Sequence, residues 1–526
     1  MTRVDALLGR LTTYRVVSLG LVALVAAATV LASVGRVGVD PIALLVGALV
    51  AVAATLAASW VGGRVVGRRV HVESSVVSGL ILALLLWPSL EPAALVTLAG
   101  AGVLAGASKY VLTWHGRHVL NPAAAGALGA GLVAWPLLGV AGAAWWVATP
   151  ALLPVVAVVG LAVVLRTRHL VPVVAYLGTG LAVVVPGLVA DGAAPGAALL
   201  TALGSYPLLF AGAVMLTEPL TLPARRWQQG VEAVVVALLT VLPWRLGVVA
   251  ASPEVALLVG NALAFAVGRR GGVRLAVVAS RAIAPDVHEV TFAPSRPLRV
   301  VPGQWVELHV PHVPDARGVR RTFSVIPGDD GTVAFAYRLG AAPSSFKRTL
   351  TALPPGAVVD VAAVGGDVRL PRAPGAPVLL LAGGIGVTPF VAMAEQAAHE
   401  GRDAVLVLRH GAASPPPYVE RLTATGTRTF LVGPRPDWPL PARWHHVGPD
   451  LTPRVLAEAV PDLSRRRAYA SGSPSWVARA SQVLRTCGVR RVRRDAFVGY
   501  GAPRPRAGTD GAGGRRQAEV TTSATL

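Results

Sequence analysis

Apolar positions divide the chain near residue 271. Before that point long apolar runs follow one another, from Arg15 to about Val34 and then near 41–61, 75–87, 90–108, 122–142, 148–165, 170–189, 196–216, 229–247 and 252–268. Runs of this kind predict about ten helices able to cross a bilayer. From Gly272 the pattern changes to short alternating runs punctuated by Gly and Pro, at 273–280, 287–292, 305–310, 321–325, 333–338 and 358–364. Six short strands before any helix predict a small antiparallel barrel. Beyond Pro371 strands and helices alternate, at 378–382, 389–400, 404–409, 416–423, 428–432, 452–460, 467–471 and 474–487. That is the pattern of a parallel sheet with crossover helices. After Tyr500 the chain is too polar and too rich in Gly and Pro to pack, which predicts a disordered tail.

Two of the apolar runs are short. One is 75–87, closed by Pro88; the other is 204–216, which opens at Ser205-Tyr206-Pro207 and closes at Thr217-Glu218-Pro219. They are third and eighth of ten, which fits two five-helix halves of opposite orientation with a short or broken helix at the matching place in each. Ordinary spans through a tilted or locally thinned bilayer are the alternative. Placing the N-terminus in the cytoplasm puts Arg64, Arg68, Arg69, Lys109, Arg117, Arg166, Arg168, Arg225, Arg226, Arg269 and Arg270 inside. Only Arg36 and Arg245 then lie outside. This satisfies the positive-inside rule and predicts a multi-pass protein of the cell membrane. Everything after Gly271 is then cytoplasmic.

Composition narrows the chemistry. The 526 residues are 53% hydrophobic and 14% charged, against about 25% charged in a soluble protein. The net charge of +21 is spread over short clusters between apolar runs and over the C-terminal third, which points to topology and solubility and not to nucleic acid. A single Cys487 excludes an internal disulfide framework and a four-thiolate iron–sulfur cluster. His71, His115, His118 and His169 fall at predicted helix ends and no apolar run holds a His pair, so neither membrane bis-histidine haem nor another metal centre is expected. The expected carriers are organic.

Two regions carry candidate chemistry. The apolar stretch 378–382 runs into Gly383-Gly384-Ile-Gly386-Val-Thr388-Pro389, where glycines let backbone approach a pyrophosphate at a helix N-terminus; a lone glycine-rich turn is weak evidence. In the apolar half, polar residues collect on the predicted cytoplasmic side, at 73–75, 109–110, 114–118, 121–122 and 217–226. Such a belt holds an anionic, ring-bearing ligand or merely anchors helix ends at the interface.

Three stretches of the first half, Val76-Val-Ser-Gly-Leu-Ile-Leu-Ala-Leu-Leu-Leu, Gly106-Ala-Ser-Lys-Tyr with Gly116-Arg-His-Val-Leu-Asn-Pro-Ala-Ala124, and Val214-Met-Leu-Thr-Glu-Pro-Leu-Thr-Leu-Pro223, resemble the signatures of one membrane family. It contains the D subunit of the Rnf complex and the B subunit of the sodium-translocating NADH:quinone reductase. The resemblance implies electron transfer through the membrane by a bound flavin, with Lys109, Arg117, Asn121 and Thr217 as candidate contacts. The family's Ser-Gly-Ala-Thr attachment site is absent from this half, which leaves noncovalent FMN or riboflavin. The tail ends in Glu519-Val-Thr-Thr-Ser-Ala-Thr525, close to the pattern on which flavin transferases place FMN, so Thr525 is a candidate for covalent attachment.

In the second half, Pro302-Gly-Gln-Trp-Val-Glu-Leu308 and Arg321-Thr322-Phe323-Ser324 resemble the FAD-binding barrel of the ferredoxin–NADP reductase family. The resemblance implies that Arg321 pairs with the FAD pyrophosphate, Phe323 stacks on the isoalloxazine and Ser324 lies near N5. Thr322 sits between them, Tyr337-Arg338 matches the following strand, and Ser344 or Ser345 matches the phosphate loop. Gly383, Gly384, Gly386, Thr388 and Pro389, with Ser471-Gly472, match the two loops that bracket the nicotinamide dinucleotide in a Rossmann-like domain. The family's Cys beside the nicotinamide is here Ser471. Arg435 lies where an Arg grips an adenosine 2′-phosphate in NADPH, although the loop suits NADH equally, and Phe497 and Tyr500 belong to the terminal strand.

Together these readings predict a multidomain membrane protein: a transmembrane helical electron-transfer domain over 1–271, an antiparallel β-barrel FAD domain over 272–372, a Rossmann-like α/β NAD(P) domain over 373–500, and a tail over 501–526. The expected acceptor is an extracytoplasmic FMN-binding protein or a quinone. A cation or flavin transporter driven or regulated by the reductase is the rival reading.

Overall fold

The structure is a computed structural model that describes residues 12–67, 70–114, 117–267, 272–313, 315, 318–340, 342–373 and 375–497. Tyr500, Thr525 and the predicted tail lie outside the described residues.

Helices occupy all ten predicted apolar runs. They are α1 (Thr13–Ser33), α2 (Pro41–Val65), α3 (Val72–Leu85), α4 (Pro92–Val111), α5 (Pro122–Leu138), α6 (Leu153–Thr167), α7 (Leu170–Ala190), α8 (Pro195–Gly204) continued by α9 (Leu208–Met215), α10 (Arg226–Val241) and α11 (Pro253–Val267). Among the described residues five of these runs form helices long and apolar enough to cross a membrane by length and composition, or six if the α8/α9 pair is one span. Turn chemistry shortens the others: α5 stops where Gly139 turns left-handed, and α10 ends at Val241, two residues before Pro243.

The two short runs have distinct forms. The third is an unbroken helix of 14 residues, about 21 Å long at 1.5 Å per residue. The eighth breaks at Ser205-Tyr206-Pro207 and bends by 55°, as a proline inside a helical run requires. Helix pairing repeats between the halves. In the first, α2 packs most heavily on α4, α4 on α5 and α2 on α3; in the second, α7 packs on α10, α10 on α11 and α7 on α8. The equivalent helices α1 and α6 touch, as do α5 and α11, which is what an internal twofold relation produces. Glycine allows these close approaches: a Cβ at Gly106 would lie 2.7 Å from the Thr55 carbonyl oxygen, and one at Gly126 2.4 Å from that of Ala101.

The second half begins with a seven-stranded antiparallel sheet. Its strands are β1 (Val273–Ala284), β2 (Val287–Pro294), β3 (Trp305–His309), β4 (Arg320–Ser324), β5 (Ile326–Pro327), β6 (Val333–Arg338) and β7 (Val358–Gly365), in the order β4-β3-β7-β1-β2-β6-β5. The sheet curls so far that Phe323 on β4 meets Phe335 and Tyr337 on β6, at ring-centroid distances of 6.0 and 5.8 Å. A short helix, α12 (Ser345–Thr351), packs Phe346 against the same cluster.

A six-stranded parallel sheet follows, with β8 (Val378–Gly383), β9 (Ala404–Arg409), β10 (Arg428–Val432), β11 (Trp444–His446), β12 (Arg467–Gly472) and β13 (Val492–Ala496) in the order β11-β10-β9-β8-β12-β13. Helices α13 (Thr388–His399), α14 (Val419–Ala424), α15 (Pro453–Ala459) and α16 (Pro474–Thr486) connect it. Strand β8 is apolar on both faces because it is central, with β9 on one side and β12 on the other. The order reverses there, and the carboxyl ends of β8 and β12 flank the switch point where doubly wound sheets take their ligands.

Candidate functional site

The glycine-rich turn is built by close packing as much as by flexibility. Strand β8 ends at Gly383, a tight helical turn covers 384–387, and α13 starts at Thr388 with Pro389 behind it, as the sequence predicted. A Cβ at Gly386 would stand 2.4 Å from the Ser471 carbonyl oxygen and 2.5 Å from the Gly472 Cα, and one at Gly383 would enter the Trp476 indole. Gly384, at φ +55°, supplies the left-handed residue that bends the turn. Thr388 is buried and its hydroxyl donates to the Ile385 carbonyl. The turn therefore lies directly on the end of β12, and Ser471 and Gly472 are its floor.

Ser471 is fully buried, and its Oγ has no hydrogen-bond partner among the described residues. A buried hydroxyl left unpaired costs about 1–3 kcal/mol. At the switch point that orphan fits a ligand with a polar edge, as the carboxamide of a nicotinamide has. Phe497 continues β13 beside it, its N–H donating to the Gly472 carbonyl. Arg435 is exposed on the loop after β10.

Next to Ser471 in the sheet register is Asp495, half-buried, with a carboxyl that burial pushes up to about 6 while Arg226 acts in the opposite direction. The folded chain holds this proton more tightly than the unfolded chain, so stability falls as pH rises from about 4 through 6. The difference from the ordinary value corresponds to roughly 2–3 kcal/mol. Asp495→Asn is accordingly expected to stabilise the full-length protein by up to that amount above about pH 7 and to leave it unchanged below about pH 4. Denaturant melts at the two pH values check this; an equal effect at both would mean that the carboxylate is not held away from water.

On the curled sheet the Arg321-Thr322-Phe323-Ser324 stretch is strand β4. The Arg321 guanidinium lies over the Phe346 ring, 5.4 Å from its centroid. Thr322 is exposed, whereas Phe323 and Ser324 are buried. Phe323 is packed among Phe335, Tyr337 and Phe346, so its ring closes the curled sheet. Tyr337 is buried with them; its hydroxyl bonds Thr351, and burial pushes its pKa up to about 12. Arg338 pairs with Asp286 at 2.6 Å. The two serines of the loop before α12 divide their work. Ser344 caps α12 by accepting from the Lys347 N–H, while the Ser345 N–H donates to the Asp315 carboxylate and its Oγ bonds His312 and the Asp315 N–H. Ser344 is thus the serine that starts the helix, and Ser345 is tied to the 312–315 segment.

The predicted belt of the helical half is a buried network. Glu218 accepts from Asn121 Nδ2 at 2.9 Å and lies 2.6 Å from His118 Nε2. The Asn121 N–H donates to Asn261, and its Oδ1 caps α5 through Ala124. Lys109 donates to Ser74 twice, at 2.8 and 3.1 Å, and faces the charge of Glu218. Thr217 is buried, with its hydroxyl on the Ala213 carbonyl and its own carbonyl on His169. The structure thus brings Lys109, Asn121 and Thr217 together, and adds His118 and Asn261. Arg117 is on a two-residue strand with His118, paired with Thr113 and Trp114. Asn261 sits within an apolar helix; a lone amide in such a run is the signal that identifies it, because lipid offers it no partner.

The loop ending this network meets the curled sheet. A Cβ at Gly365 would lie 3.0 Å from the Ala224 Cβ, and Gly365 is in register with Trp305, which is in register with Ser324. Arg225 and Arg226 on the same loop act electrostatically on Arg369 and Asp495. Loop 217–226 therefore touches the second half of the chain level with the end of β4 and beside β13.

The chain is similar to known proteins over part of its length. The chain is 33% identical over 210 residues to the toluate 1,2-dioxygenase electron transfer component of Pseudomonas putida, covering 37% of this chain and 56% of that protein. It is 35% identical over 144 residues to ferredoxin–NADP reductase B of Sorangium cellulosum (strain So ce56), covering 26% and 56%. The chain spans about half the length of the curated relatives it matches. Among solved structures, an Amycolatopsis cytochrome P450 reductase is matched at 24% identity and TM-score 0.37 over 43% of this chain and 70% of that one. A Neisseria gonorrhoeae ferredoxin NADP+ reductase with bound FAD and NADP is matched at 17% and 0.36 over 43% and 98%. No protein-family model matches the chain. The C-terminal half is thus similar in sequence to part of an electron-transfer component and of a ferredoxin–NADP reductase. The likeness of the helical half to the Rnf and sodium-translocating reductase subunits rests on its signature stretches alone.

Proposed function

We propose that this protein is a membrane flavin oxidoreductase that oxidises NAD(P)H on the cytoplasmic side and passes electrons through its helical half to an extracytoplasmic FMN-binding protein or a quinone. FAD, when bound, takes a hydride from NAD(P)H and releases electrons singly. Arg321 and Ser344 would hold its phosphates, with Ser324 at the end of β4 under the reactive edge. Ser471 and the 383–388 turn orient the nicotinamide and keep water from it. The observation that carries the reading is the contact of loop 217–226 with Gly365. It brings the polar end of the helical half to the level of Ser324 at the end of β4.

In that half FMN or riboflavin is the carrier we assign. Asn121 and Thr217 have their polar atoms committed within the protein, so they hold the His118–Glu218 network in place, and Arg117 is the residue proposed for a phosphate. A hydrocarbon core ~30 Å thick requires such an intermediate carrier. The short α3 and the broken α8/α9, at matching places in paired halves, favour the second reading, a redox-driven cation or flavin transporter.

Sealed proteoliposomes separate the two. With NAD(P)H added on the reductase side only, an impermeant acceptor trapped inside is expected to be reduced without added sodium, and the rate is expected not to change when sodium replaces potassium. Reduction confined to dye on the reductase side would overturn transmembrane electron transfer, and a strict sodium requirement would favour the transporter.

A further inference from the structure

Arginines crowd one seam of the molecule. Arg225 and Arg226 open α10. Arg369 and Arg372 follow β7; Arg467 opens β12; Arg490, Arg491, Arg493 and Arg494 lead into and along β13, the edge strand of its sheet. Arg225, Arg493 and Arg372 all act on Arg369, and with burial they hold it below its ordinary pKa, while only Asp367 acts in the opposite direction. The Arg493 guanidinium donates to the carbonyls of Asp367 and Arg369 at 3.1 and 3.0 Å, which ties β13 to the seam. Among the described residues none of these nine arginines has a carboxylate within 4.0 Å, whereas Arg402, Arg421 and Arg466 in the same half all do. A cavity of about 290 Å³ opens among Arg467, Arg490, Arg491 and Arg493. Beside the seam Trp227 is 61% exposed at the start of α10, an amphipathic residue of the kind enriched at membrane interfaces.

Two or three charges would suffice to keep an exposed edge strand from pairing. A cluster that continues from the strand onto the first turn of a helix in the other half of the chain needs a different cause. We propose that this arginine seam binds anionic phospholipid headgroups of the cytoplasmic leaflet, and that the bound lipid holds the reductase half against the helical half. The inference rests on the membrane reading above. On that reading Arg225 and Arg226 open α10 from the cytoplasmic side, where the anionic leaflet attracts basic segments at its surface. Headgroup phosphates would offset the mutual repulsion of these arginines, which no carboxylate among the described residues contacts.

The test uses full-length protein reconstituted in nanodiscs of phosphatidylcholine alone or mixed equally with phosphatidylglycerol. Native mass spectrometry then identifies the lipids retained on release. Wild type is expected to retain phosphatidylglycerol over phosphatidylcholine by at least about fivefold, falling steeply with salt as surface electrostatics do. The combined variant R372Q/R490Q/R491Q/R493Q is expected to lose the preference while its helical content and NAD(P)H–dye turnover stay at wild-type levels. No preference in wild type, or an unchanged preference in the variant or at about 1 M salt, would overturn the proposal. Displacement of the lipid by free glycerol phosphate would overturn it too, by assigning the seam to a soluble anion. Stable insertion in pure phosphatidylcholine discs would leave the membrane reading standing in each of these cases, and failure to insert in any disc would remove that reading instead.

Discussion

Glu218→Ala is expected to destabilise the helical half by about 3–5 kcal/mol, the cost of deleting one partner from a buried charged network. His118 and Asn121 are both buried and both use Glu218, at 2.6 and 2.9 Å. Lys109 faces the same carboxylate from α4. Removing it leaves the His118 imidazole and the Asn121 amide without their acceptor, while Lys109 keeps its bonds to Ser74 and loses only the attraction of the nearby charge. The network also joins the two halves of the bundle, since Asn121 begins α5, Asn261 lies in α11 and Glu218 follows α9. Loss should therefore loosen the bundle as a unit. Glu218→Gln retains an acceptor for Asn121 and is expected to cost only about 1–2 kcal/mol. Thermal unfolding of the detergent-solubilised full chain, followed by intrinsic fluorescence, reads both variants. A Glu218→Ala protein as stable as wild type would mean that the network carries no load.

Much of this architecture is legible from periodicity, because period and burial coincide. Strand β6 falls at its predicted limits, and β8 gains one residue, since alternating or wholly apolar runs bounded by Gly and Pro leave little choice of register. Pro207 likewise marks the break between α8 and α9 through its ring and missing N–H alone, which no helix interior accommodates without bending. Other features depend on distant partners that no local pattern reports. The run read as one span over 122–142 ends at Leu138, and the following loop folds into the bundle, where Trp145 and Trp146 are buried. There the Trp146 Nε1 donates to the Ala83 carbonyl, and the N–H groups of Ala144 and Trp145 donate to that of Leu85, so a loop caps the short α3 from across the bundle. The Trp145 indole donates in turn to Glu254 at 2.7 Å. Strand β11, only three residues long, carries too little alternation to be read. Phe323 illustrates a different gap: the motif identifies the strand, but curling of the sheet onto β6 decides where the ring is used.

Gly386→Ala is expected to lower NAD(P)H oxidation by at least about a hundredfold while FAD stays bound, the loss that follows when reacting groups are displaced by about 1 Å. The added methyl would stand 2.4 Å from the Ser471 carbonyl oxygen, 2.5 Å from the Gly472 Cα and 2.6 Å from the Gly472 N–H nitrogen. None of these is the flexible end of a side chain. Either the 384–387 turn or the end of β12 must move, and the two together form the switch point. Gly472 cannot readily yield, because it is held at φ +137° with its own missing Cβ facing the Gly383 carbonyl oxygen at 2.8 Å. Overpacking of this kind typically costs about 1–3 kcal/mol of stability, and the larger effect is on alignment, because Ser471 Oγ shifts with its backbone. The curled sheet is not touched, so flavin content is expected to remain at the wild-type level. Steady-state oxidation of NADH and NADPH with a soluble dye, set beside FAD content by absorbance, is the measurement. Turnover within about threefold of wild type, well inside the range that positioning effects span, would show that the nicotinamide does not lie between this turn and β12.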